Sequence, residues 1–187
     1  EDARQHSVAL HALIAVALLK GDMKESEKLI LEAFPVYRRA EHLVFEIWGM
    51  IYLGFIRAMQ GDLRAGAESL KAAISYAKKY MPNRPEPMVY PHSFLSDIYR
   101  ELNDIENARI YLDEALTLIQ QLGRESFIIL IPEYFKGMAL LYELCGDAKQ
   151  TEELIESGIN RMKKYGNEVF VRQLQALNTF INLKRGD

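Results

Sequence analysis

The chain has 187 residues, 49% of them hydrophobic and 26% charged, a balance that supports a folded soluble protein and excludes a disordered one. Its 23 basic and 26 acidic residues leave a net charge of −3, so the basic footprint of a nucleic-acid-binding surface is missing. The single cysteine, Cys145, excludes an internal disulfide framework and carries no metal or redox spacing, and it reads as a buried inert thiol.

The first element is predicted at about residues 5–20. Its apolar run, Val8 to Leu19, holds only His11 as a polar residue, yet its 12 residues are too few to cross a bilayer. It follows an acidic start and lacks a small-residue cleavage pattern, so it is no signal peptide, and the chain reads as cytoplasmic. The run ends at Gly21-Asp22, the first of five related dipeptides, followed by Gly61-Asp62, Asn103-Asp104, Gly146-Asp147 and Gly186-Asp187 at intervals of 40, 42, 43 and 40 residues. Gly or Asn accepts the left-handed conformation that closes a helix, and Asp accepts amide hydrogen bonds at the start of the next. The dipeptides therefore mark the turns of a helical repeat array.

First helices of successive pairs are placed at about 5–20, 41–60, 89–102, 126–145 and 168–185, and second helices at about 23–39, 63–81, 105–122 and 148–165. The repeats span about 5–39, 41–81, 89–122 and 126–165, with a partial repeat at 168–187. Pro35 is expected to bend or end its helix near Ala33-Phe34. Met81 to Pro87 reads as an extended loop, and Pro91 and Pro132 fall in first helical turns. In the third pair, Leu95, Ile98, Tyr99 and Leu102, then Ile105, Ala108, Leu112, Ala115 and Ile119, recur in steps of three and four. A bulky residue at Ala108 should overpack that contact at a cost of about 1–3 kcal/mol. The first helix is apolar nearly all round, and the last carries Phe170, Leu174, Leu177 and Ile181 on one face before the chain stops on a turn. A fragment of a longer protein is the expectation.

No glycine-rich phosphate loop, Gly-x-Ser-x-Gly elbow or His-Glu-x-x-His occurs, and His6, His11, His42 and His92 do not pair at helical spacing. No enzyme, metal site or cofactor is expected in this segment. Stacked helix pairs line an inner surface with their first helices. Counting back from each turn assigns Trp48, Ile51 and Phe55 to that surface, then Tyr90, Ser93, Asp97, Arg100 and Glu101, then Glu133, Lys136, Leu140 and Glu143. Rings beside groups of both signs suit a small molecule, a peptide or a protein face.

The fold class is thus all-α, a superhelical stack of antiparallel helix pairs. The spacing of Leu95-Ser96, Tyr99, Asn103, Ala108, Leu112 and Ala115-Leu116 resembles a tetratricopeptide repeat. Leu53-Gly54, Gly61, Leu70 and Ala73-Ile74 match with Gly66 where alanine is usual, and Thr151 and Gly158 replace alanines in the fourth pair. The long period and the phrase Asp97 to Arg109 are similar to the sensor region of large ATP-binding LuxR-type bacterial regulators of the MalT type. That resemblance implies an effector-sensing module that binds a small-molecule inducer, a peptide or another protein and couples it to self-association and transcription. ATP would be bound by an N-terminal domain outside this segment and DNA by a C-terminal one, with no membrane or direct nucleic-acid contact here. A peptide-binding adaptor or quorum-peptide receptor is the alternative.

Overall fold

The computed structural model describes residues 3–122 and 135–186, and all regular structure among them is helical. In chain order the helices are α1 (Ala3–Leu19), α2 (Met23–Arg39), α3 (Leu43–Met59), α4 (Leu63–Tyr80), α5 (Glu86–Glu101) and α6 (Ile105–Gln121). They are followed by helical residues 135–144 (α7), then α8 (Ala148–Lys164) and α9 (Glu168–Arg185). The chain divides into two compact units, residues 1–94 and 95–187, with the division inside α5.

One local motif builds the turns. At Gly21, Glu41, Gly61, Asn103, Gly146 and Gly166 the backbone φ is positive, between 55° and 91°. At each, that residue's N–H donates to the carbonyl three residues back and the next N–H to the carbonyl five back, as in Gly61 to Ala58 at 3.0 Å and Asp62 to Arg57 at 2.9 Å. This pairing satisfies the last carbonyls of one helix. After it, Asp22, Asp62, Asp104 and Asp147 each accept the backbone N–H of the third residue on, at 3.0–3.1 Å. Helices of 17 residues joined by such turns set the left-handed residues 20 apart at 21, 41 and 61. The 40-residue period is therefore two equal helix-plus-turn units.

Two of these turns, Glu41-His42 and Gly166-Asn167, escape the dipeptide rule. Their caps, His42 and Asn167, make no side-chain capping bond, so the aspartate that marks the others is missing.

The prolines depart from expectation. Pro35 lies within α2, which runs on to Arg39. The residue and Leu31, whose carbonyl lacks its helical donor, are both exposed, so water can serve that carbonyl. The loop after α4 is shorter than expected, because α5 begins at Glu86, with its first turn closed by Met88 N–H to the Pro85 carbonyl at 3.0 Å. Pro87 thus takes the first turn, and Pro91 sits one turn deeper than expected. Pro132 lies outside the described residues.

In the first unit α1 packs on α2, α2 on α3 and α3 on α4. Ile14, Ile30, Ala33, Tyr37, Leu53 and Ile56 form one core there. In the second unit Ala108, Leu112, Met138 and Leu141 form another, and α8 packs on α9. Leu95, Ile98, Ala115 and Ile119 are buried as the spacing predicts, whereas Leu102 is 46% exposed beside its turn. Cys145 is exposed, contrary to expectation, because it immediately precedes the glycine of a solvent-facing turn. On α1, Val8, Leu13, Val16 and Leu19 are exposed, and on α9 Leu174 and Ile181 are buried.

Candidate functional site

In the first unit, α3 carries Phe45, Trp48, Tyr52 and Phe55, whose steps of three, four and three align them on one stripe of the helix. His11 of α1 stacks on Phe45 with centroids 4.3 Å apart and planes 6° from parallel. From α5, Tyr90 meets Trp48 at 5.3 Å and Phe94 meets Phe55 at 5.4 Å, while Trp48 and Tyr52 lie 5.6 Å apart. The result is a strip of seven half-buried rings supplied by the first helices of three pairs. Each such contact contributes about 0.5–1.5 kcal/mol beyond area burial, so the strip is rigid enough to present flat apolar faces.

Of the residues expected on this surface, Trp48, Phe55 and Tyr90 come together. Ile51 has no exposed area and belongs to the core, and Ser93 is 6% exposed with its hydroxyl donated to the Val89 carbonyl at 3.2 Å. Phe45, Tyr52, Phe94 and His11 were not singled out. The 45, 48, 52, 55 spacing could have found the first two, but the count back from Gly61 follows 48, 51, 55 and crosses into the buried face.

In the second unit Asp97 pairs with Arg100 at 3.3 Å and stands 4.0 Å from the Lys136 ammonium, while Arg100 also reaches Glu101 at 3.0 Å. Four of the expected residues thus form one polar network on α5 and α7. Glu143 is taken up elsewhere: Arg185 of α9 binds its carboxylate through Nε at 3.1–3.2 Å and through Nη2, and reaches Glu152 with Nη1 at 2.9 Å. Leu140 is half-buried, and Glu133 lies outside the described residues.

A third arrangement was not anticipated. Glu46, a lone acid in the apolar run of α3, is 2% exposed. One carboxylate oxygen accepts Arg38 Nε at 2.7 Å and the other the Tyr76 hydroxyl at 2.6 Å. Burial, and then its bond to Glu46, push the Tyr76 hydroxyl up to about 12, and Arg38's separate bond to Glu46 raises the guanidinium above its usual value. Tyr37, Arg38, Glu41, Leu43, Glu46 and Tyr76 line a cavity of about 380 Å³.

Comparison with known proteins adds a family. The model of the MalT-like TPR region matches residues 1–183. The chain belongs to the MalT-like TPR family. No curated protein matches significantly. Among solved structures, this MalT-like TPR region is similar to BtubC (BKLC) from P. vanneervenii, at 14% identity and a TM-score of 0.71, with 89% of this chain and 66% of that one covered. It is also similar to a putative kinesin light chain of nearly identical TPR-like repeats from Podosopora anserina, at 14% identity and a TM-score of 0.61, covering 98% and 95%. At such identity the likeness speaks for the fold alone.

Among the described residues of this MalT-like TPR region, no group of three or more His, Cys, Asp or Glu side chains could hold a metal. No helix there is long and apolar enough to cross a membrane. The aromatic strip offers stacking and dispersion, and the Asp97 network offers charged groups of both signs.

Proposed function

We propose that this MalT-like TPR region is the effector-sensing and protein-interacting module of a LuxR-type transcription regulator, and that the aromatic strip of the first unit receives the effector. The observation that carries this reading is the strip itself. Seven rings from three non-consecutive helices stay half-buried, where filling the core would have buried them. Flat faces of this kind hold a small metabolite or peptide by stacking while hydroxyls such as that of Tyr52 fix its orientation. A ligand that touches α1, α3 and α5 together favours the arrangement of those helices it fits best, and the shift is limited by its differential affinity for the states. Self-association and transcriptional output follow from that shift, with ATP and DNA handled by other segments.

Trp48 is the chain's sole tryptophan and stands in the middle of the strip, so its fluorescence is a built-in probe. Titration of the intact regulator with sugars, nucleosides, amino acids and short peptides should give a saturable Trp48 signal for one class. The same ligand should change the oligomeric state, and Tyr90→Ala should abolish the response. A ligand that alters assembly without touching Trp48, or whose effect survives Tyr90→Ala, would overturn the strip as its site. Saturation by a peptide with no change in assembly would instead support a peptide adaptor.

A further inference from the structure

Two helices carry open apolar seams, α3 in the first unit and α9 in the second. On α3 the rings of Phe45, Trp48, Tyr52 and Phe55 are followed on the same stripe by Met59, which is 63% exposed. On α9, Val171, Leu174 and Ile181 are buried, while roughly 150° around the helix Val169, Gln173, Ala176, Phe180 and Leu183 face outward. We propose that the aromatic strip of one copy receives α9 of a second copy, antiparallel to α3, and that the effector competes with α9 for the strip. The competition rests on the reading of the strip as the effector site; the contact itself does not.

Three observations converge. First, rhythm and length match. The α3 positions are separated by steps of three, four, three and four and the α9 positions by four, three, four and three, each series covering 14 residues, about 21 Å of helix. Laid antiparallel, the two series coincide at every position, from Phe45 opposite Leu183 to Met59 opposite Val169. Steps that average 3.5 residues are the seam by which two helices pair. In that register Trp48 meets Phe180, and large Tyr52 falls against small Ala176, a pairing that packs without a void.

Second, the charges are compatible. Neither series contains a charged side chain, so the contact buries no unpaired ion, which would be strongly destabilising there. Beyond the Phe45 end lies exposed Glu41, and beyond Leu183 exposed Lys184, opposite in sign.

Third, the α9 seam is narrow. Its outward residues span roughly 80° of the helix, the same arc as the α3 stripe. Helix α1 also exposes Val8, Leu13, Val16 and Leu19, but these fan over roughly 140° and form no single line. One four-turn contact falls in the weak class of interfaces, under roughly 1,200 Å². Association is therefore concentration-dependent, and a ligand stacked on Trp48 can displace α9.

The experiment is sedimentation velocity of the 187-residue protein over a dilution series, with Trp48 fluorescence followed in parallel. Wild type should dissociate on dilution, with Trp48 emission changing over the same concentrations. Phe180→Glu, at an exposed position, should weaken association about thirtyfold or more, and Tyr52→Glu should do so from the other side. Mixed together, the two variants should recover one contact, because each keeps the half that the other lacks. If Tyr52→Glu misfolds, a peptide of residues 168–186 added to the Phe180→Glu protein should shift Trp48 emission saturably, and the same peptide carrying Phe180→Glu should not. Wild type that stays monomeric and ignores the peptide, association that survives Phe180→Glu, or association lost with Val16→Glu on α1 instead would overturn the proposal. The two readings fail separately. A metabolite that saturates Trp48 where the α9 peptide does not removes this contact and keeps the effector site; the converse removes the effector site, and with it the competition, and keeps the contact.

Discussion

The carbonyl oxygen of Gly54 lies 2.9 Å from the point where a Cβ on Gly66 would stand, and the Gly66 carbonyl oxygen lies 3.0 Å from the corresponding point on Gly54. Helices α3 and α4 therefore touch backbone to backbone. An alanine at Gly66 would also meet Ala58 N and Cβ at 3.1 Å, contacts that no flexible side chain can relieve. Alanine gains about 1 kcal/mol over glycine in a helix interior, but overpacking costs about 1–3 kcal/mol, and the rigid backbone neighbours place this site at the upper end. Gly66→Ala should lower the urea midpoint by an amount worth about 1–2 kcal/mol, and an unchanged or raised midpoint would show that the helices can separate freely.

Glu41→Gly is expected to stabilise the protein. A left-handed conformation costs a side-chain-bearing residue about 1–2 kcal/mol, and glycine returns about 0.5–1 kcal/mol of that through its greater unfolded-state entropy. The net gain of about 0.5–1 kcal/mol should appear as a higher Tm, and a lower one would mean that the Glu41 side chain contributes more than its strain.

At high pH the tyrosines of the first unit should report their environment. Burial pushes Tyr37 up to about 12, aided by the charge of Tyr52, and Tyr76 is raised to about 12 by burial and by its bond to Glu46. Each folded value lies above the unfolded one of 10.0, so their contribution to stability is present below pH 10 and is lost as pH rises through 12. Tyrosinate absorbance should show Tyr37 and Tyr76 titrating late, with Tyr52 also raised by burial, and Glu46→Gln should advance Tyr76 while leaving Tyr37 in place.

His11 works at the other end of the scale. Desolvation lowers its value from 6.5, so the neutral ring that stacks on Phe45 is the stable form. The unfolded chain binds the proton more readily, and stability that is full above pH 6.5 should decline as pH falls through the lower folded value. Denaturation midpoints measured across that interval should fall for the wild type and stay flatter for His11→Gln.

Much of this molecule was legible in one dimension. Gly-Asp and Asn-Asp turns placed the helix pairs because left-handed closure and aspartate capping are chemistry of adjacent residues. The Gly66 and Gly158 departures from alanine make sense only in three dimensions: a Cβ would strike the Gly54 carbonyl at one, and Leu174 and Phe135 at 2.9–3.0 Å at the other. The Glu41-His42 turn was hidden because its left-handed residue carries a side chain and its cap makes no side-chain bond. Pro35 was read as a local breaker and Pro91 as a first-turn residue, yet both sit inside helices.

The candidate sites divide along the same line. Trp48, Phe55 and Tyr90 could be named from spacing, since rings three and four residues apart share a helix face whatever surrounds it. That Ile51 is sealed in the core, that Phe94 and His11 complete the strip, and that Glu46 is a buried carboxylate between Arg38 and Tyr76 depended on which neighbouring helix covers each side. By itself the sequence determined the helices and the turns marked by Gly-Asp or Asn-Asp, because these follow from interactions within a few residues. Tertiary structure alone decided which faces remain open and which charges are enclosed, because solvent exposure is a property of the packing between helices distant in the chain.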